Sequence, residues 1–252
     1  MAIDTETTPI RLREVPYWKG WPILYEDDGE GELGESNPHV QTDQIINILL
    51  RVHFEQRREI QVFSNMNLYY LDAQGRTRLA PYVSPDDMIV QAYERLPEET
   101  VSYRIGTDGP APLATIEILS QRSAQQRDLE DKVEIYAGLS VAEYILVDPF
   151  GKFLPRKLLL KRLQPDGTWK DECDADGGIT SELGFRFLYD ANGNLTVINA
   201  STGEAYPHPI DAVLQSREMA NRIRDAEEQS RALAEEVARL QELLKKQNPS
   251  TN

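Results

Sequence analysis

Two short apolar runs, Leu113-Ala114-Thr115-Ile116-Glu117-Ile118-Leu119 and Tyr144-Ile145-Leu146-Val147, flank a segment with helical spacing in the middle of the chain. Each run is the length of a buried strand, and the segment between them is bounded by polar Ser120-Gln121-Arg122-Ser123 and by Gly138. Strand, helix and strand in that order predict a crossover unit, with the two strands parallel and the helix on one face of their sheet. Within the first run stands one carboxylate, Glu117. A charge withdrawn from water must be paired, protonated or bound to a cation, so the fold must bring it a partner.

Two partners are predicted. Asp86 follows a proline in Val83-Ser84-Pro85-Asp86-Asp87-Met88-Ile89-Val90, a turn feeding an apolar segment that reads as the strand beside Glu117. Asp87 is expected to point to the opposite face of that strand. Lys132 lies on the helix after Glu117, where Asp128, Lys132 and Tyr136 recur every four residues and form one stripe. On its own, Asp128 with Lys132 reads as a surface pair worth a few tenths of a kcal/mol. Two carboxylates and an ammonium converging at strand ends suit a magnesium or manganese site for phosphodiester cleavage: hard oxygens hold the cation, and the ammonium meets phosphate or the attacking water.

The remainder of the body reads as mixed α/β. Asn37-Pro38 starts a helix over 38–56 with an apolar face of Ile45, Ile46, Ile48, Leu49 and Val52. One or two strands are expected over 59–71. Further antiparallel strands over 157–163 and 185–188 are expected along one edge. Residues 1–25, with Trp18, Trp21 and Pro22, read as a packed segment without regular structure. The end of the chain differs in kind. Met219, Ile223, Ala226, Ser230, Leu233, Val237, Leu240 and Leu244 alternate spacings of four and three, the seam of a coiled coil. The expected division is a body over 1–206 and a coiled-coil helix over 211–247 that pairs two copies of the chain.

Composition excludes several classes. One cysteine, Cys173, leaves no internal disulfide, and three histidines without HxxH spacing argue against a zinc enzyme. No apolar run approaches the roughly 20 residues of a bilayer span, and the first residues lack a secretory pattern, so the expected location is cytoplasmic. The net charge is −15, which opposes indiscriminate nucleic-acid binding. Much of it is local: residues 26–35 carry six carboxylates, whereas 211–246 hold eight acidic and seven basic residues.

Taken together, Pro85-Asp86, Glu117-Ile118-Leu119-Ser120, the stretch Asp128 to Tyr136, and Glu143-Tyr144-Ile145-Leu146-Val147-Asp148-Pro149 resemble the Uma-two family of bacterial restriction-endonuclease-like nucleases, within the PD-(D/E)xK superfamily. The resemblance covers most of the chain, from Glu35 and His39 to the helical tail. It implies a mixed central sheet flanked by helices and a magnesium-dependent endonuclease acting on DNA. Asp86 and Glu117 would be metal-binding carboxylates and the Ile118 carbonyl a further ligand. The lysine that the superfamily carries two residues after the acid is replaced here by Leu119, and its role would pass to Lys132. Glu35, His39 and Tyr136 are secondary candidates. The alternatives are a catalytically silent dimeric scaffold and a phosphodiesterase for RNA or nucleotides.

Overall fold

A computed structural model describes residues 11–15, 23–27, 37–70, 82–120 and 127–247. Strands β1 (Arg11–Val15) and β2 (Ile23–Asp27) pair antiparallel, so regular structure does occur in the first 27 residues. Trp18, Trp21, Pro22 and Glu35 lie outside the described residues.

Helix α1 (Asn37–His53) buries His39, Thr42, Ile46, Leu49 and Leu50. Spaced by three and four, these make a narrower stripe than the sequence suggests, and Ile48 and Val52 stay exposed. Next come β3 (Gln61–Ser64), β4 (Asn67–Tyr69), β5 (Tyr82–Val83), β6 (Asp87–Val90), β7 (Ser102–Arg104) and β8 (Ala114–Ile118). A π-helical turn (Arg127–Asp131) runs into α2 (Lys132–Gly138), followed by β9 (Glu143–Val147), β10 (Leu158–Leu163) and β11 (Trp169–Glu172). The chain closes with β12 (Ile179–Thr180), β13 (Phe185–Tyr189), β14 (Leu195–Asn199) and α3 (Pro209–Gln247).

The central sheet has the order β11-β10-β9-β8-β6-β3. Strands β8 and β9 run parallel in register, Glu117 opposite Leu146, which is the crossover expected from the two apolar runs. The neighbouring pairs are antiparallel. All five residues of β8 are buried. Alternation along the pleat sends Ala114, Ile116 and Ile118 into one core, with α1, Phe185, Phe187 and Val197. Thr115 and Glu117 therefore face the opposite layer, where Met88, Val90, Leu119, Tyr136, Tyr144 and Leu146 form a second core. This sheet covered on both faces gives the α/β, restriction-endonuclease-like architecture.

One expectation about strands is corrected. Residues 185–188 do not extend the edge of the central sheet. With β12 and β14, β13 forms a separate antiparallel sheet whose Phe185 and Phe187 share the core under α1. The stretch after β6 contains β7, which pairs parallel to β4 in a third small sheet.

His53 at the end of α1 ties the β12-β13-β14 sheet down. Its Nδ1 lies 2.9 Å from the Tyr206 hydroxyl and its Nε2 3.3 Å from the Leu183 carbonyl. Burial lowers its pKa below 6.5, helped by Arg57 and opposed by the Leu183 carbonyl. The unfolded chain then takes up the proton more readily, so this contribution to stability is present above pH 6.5 and is lost as pH falls. In His53→Gln the acid-side decline in melting temperature should be shallower than in the wild type; identical slopes would show that His53 does not carry it.

Candidate functional site

Glu117 is the second-last residue of β8, on the face covered by α2. The i, i+4 spacing of Asp128, Lys132 and Tyr136 turns all three toward it, and the π turn meets the α-helix at Lys132. Lys132 Nζ lies 2.6 Å from Glu117 Oε2 and 3.0 Å from Asp128 Oδ1. The Tyr136 hydroxyl donates to Glu117 Oε1 at 2.8 Å. None of this is at the surface: relative exposure is 1% for Glu117, 1% for Asp128 and 5% for Lys132. Asp128 and Lys132 are thus a buried pair and not a surface one, because the stripe faces the sheet as the approach of Lys132 to Glu117 requires.

Asp86 immediately precedes β6, in which Asp87 stands opposite Ile116. Its Oδ2 accepts the Ile118 amide at 2.6 Å, which ties the end of β8 to the turn before β6. Its Oδ1 lies 3.6 Å from Nε2 of buried His39. Asp87 faces the other core, where Asn47 of α1 donates to it at 2.8 Å. Leu119, which stands where the superfamily has a lysine, is fully buried in the second apolar core.

Electrostatics follow from burial. The Glu117 carboxyl is pushed up to about 8 by loss of water; Lys132 pulls it down, while Asp86 and Asp128 push it further up. Burial alone would lower the Lys132 pKa, but Glu117 and Asp128 outweigh it and the net shift is upward, so the ammonium keeps its charge. Tyr136 is held well above its ordinary value by burial and by Glu117, and remains a phenol able to donate.

The structure therefore gathers Glu117, Lys132 and Tyr136 in one cluster, with Asp86 and His39 at its edge beside Ile118. It adds two residues that the sequence reading did not place in the site. Asp128 is the second anion on Lys132, and Tyr144 donates its hydroxyl to the Asp128 carbonyl at 2.8 Å. The four-residue stripe was the available signal for Asp128. For Tyr144 there was none, since its contact depends on how the helix lies across β9. The Trp169 indole, donating to the Val133 carbonyl at 3.0 Å, fastens the same helix to β11.

Among the described residues, no group of three or more His, Cys, Asp or Glu side chains is arranged to hold a metal ion. The donor chemistry still suits a hard cation, since magnesium is commonly held by one or two carboxylates with water and phosphate oxygens completing its shell. A polar groove lined by Leu49, Asp190, Tyr206 and His208 contains no member of the cluster.

A solved structure to which the chain is similar is a putative nuclease belonging to DUF820 from Anabaena variabilis ATCC 29413, at 16% identity and a TM-score of 0.42, covering 66% of this chain and 80% of that one. No curated protein matches the chain. The family model Uma2, described as a putative restriction endonuclease, matches residues 24–184, a span that includes Asp86, Glu117, Asp128, Lys132 and Tyr136. By that match over more than half its length, the chain belongs to the Uma2 family.

Proposed function

We propose that the protein is a magnesium- or manganese-dependent endonuclease that hydrolyses phosphodiester bonds of DNA. The observation that carries this reading is the buried Glu117–Lys132 contact at the end of β8, with Asp86 bonded to the next residue along that strand. Asp86, Glu117 and the Ile118 carbonyl would hold the cation. When bound, the cation supplies acidification of water and relief of charge on the phosphate oxygens. Lys132 orients the attacking water and the phosphate, and its ammonium offsets charge as the phosphorus–oxygen bond to the leaving group breaks. Tyr136 fixes the rotamer of Glu117, and His39 steadies Asp86.

The body over 1–206 carries the site, and the helix over 211–247 joins two copies. Along α3, Met219, Ile223, Leu233, Val237, Leu240 and Leu244 are exposed by 49% or more, a seam suited to a second copy. In the full-length protein, Leu233→Glu with Leu240→Glu is expected to convert a dimer to a monomer in light scattering; an unchanged mass would reject α3 as the interface.

The net charge of −15 favours a second reading, a silent dimeric scaffold with a nuclease-like body. One assay separates the two. Purified protein is incubated with plasmid, single-stranded DNA and RNA in magnesium, manganese or EDTA, beside Asp86→Asn and Glu117→Gln. Cleavage of DNA that requires the metal and both carboxylates supports the enzyme. RNA-only cleavage reassigns the substrate, and no cleavage of any substrate leaves the scaffold.

A further inference from the structure

Three of the four carboxylate oxygens that would have to hold a cation are already in use. Glu117 Oε1 accepts the Tyr136 hydroxyl and Oε2 contacts the Lys132 ammonium at 2.6 Å. Asp86 has one oxygen committed to the Ile118 amide. A divalent cation and an ammonium repel strongly when crowded onto one carboxylate away from water, so Lys132 must yield Oε2 before Glu117 can ligate. Its alternative partner is in place. Asp128 Oδ1 already lies 3.0 Å from the ammonium, one helical turn away on the same stripe. Rotation within the lysine side chain would transfer the contact without moving backbone. Asp128 is itself anchored through its carbonyl, which accepts the Tyr144 hydroxyl from β9. The charges agree as well: three carboxylates against one ammonium leave a formal deficit that a single divalent cation fills.

We propose that Lys132 is an internal stand-in for the metal, and that Asp128 is a positioning residue which takes over its ammonium when a divalent cation occupies Glu117. The inference rests on the metal-dependent reading above. It assigns Asp128 a task distinct from ligation: it keeps the ammonium inside the site, close to where phosphate would bind. Without Asp128, Lys132 would lean on Glu117 alone and compete harder with the cation.

The test is Mn2+ binding to the full chain without nucleic acid, by calorimetry and by the Mn2+-dependent change in melting temperature, in wild type, Lys132→Met, Asp128→Asn and Glu117→Gln. Lys132→Met is expected to bind Mn2+ about tenfold or more tightly than wild type while failing to cleave DNA, and Asp128→Asn about tenfold more weakly. Glu117→Gln should not bind at the site. Should Lys132→Met unfold early in EDTA, the proposal requires Mn2+ to raise its melting temperature more than that of wild type, because stabilisation by a ligand grows with the logarithm of its affinity for the folded state. Wild-type binding that needs Glu117 but is unchanged in Lys132→Met and Asp128→Asn would overturn the stand-in role and leave the metal-dependent reading intact. Absence of Mn2+ binding in both wild type and Lys132→Met would overturn both.

Discussion

Removing the Lys132 ammonium, as in Lys132→Met, is expected to lower the unfolding free energy by about 3–5 kcal/mol at about pH 8.5 in the absence of metal, the usual cost of leaving buried charges without their partner. Glu117 and Asp128 are each 1% exposed and share this cation, so water cannot take its place. The loss should shrink toward pH 6. With the ammonium beside it the Glu117 carboxyl is raised by burial to about 8, and without it the carboxyl rises further. At the higher pH the variant therefore holds a proton that the wild type has released, and the difference closes toward pH 6, where both carry it. Urea titrations at the two pH values would show this. An equal loss at both would mean that Lys132 acts through packing of its methylenes and not through charge.

On the proposed function, Glu117→Gln is expected to reduce metal-dependent cleavage by about a thousandfold or more, since it removes a proposed ligand while preserving side-chain shape. Its effect on stability has the opposite sign. With the folded-state pKa raised from 4.5 to about 8, the native protein binds this proton more tightly than the unfolded chain does. In the wild type, stability therefore falls as pH rises through that window and levels off above it. The glutamine variant lacks the slope and should match or exceed the wild type near pH 9. A wild-type stability that climbs between pH 5 and 8 and is unchanged in slope by the substitution would contradict the burial of an ionisable Glu117.

Much of this site was legible because its residues break local rules. A carboxylate within an apolar strand is conspicuous, and the four-residue recurrence of Asp128, Lys132 and Tyr136 defines a helix face whatever the tertiary structure. What periodicity could not say is which way that face turns. The same spacing describes a solvated pair or a buried one, and only the packing of α2 across β8 and β9 decides. The parallel pairing of β8 and β9 was legible for a related reason, as a strand-helix-strand connection leaves little choice of topology. The assignment of β13 was not. Alternating apolar residues mark a strand but not its neighbours, and the partners of Phe185 and Phe187 come from α1, more than a hundred residues earlier. Packing contacts closed over such distances leave no trace in local spacing, even though β13 pairs with β12 and β14 close by in the chain.

The 39 residues of α3 make a rod of roughly 60 Å at 1.5 Å per residue. If two copies pair through such rods in parallel, the bodies proposed to carry the nuclease site stand shoulder to shoulder at one end, and both strands of a duplex could be cut within a short stagger. If they lie head to tail, the bodies are held apart by about the length of the rod, near 17 base pairs of duplex at 3.4 Å each. The polarity of that one seam would then act as a ruler, fixing the spacing between paired cuts before any base is read.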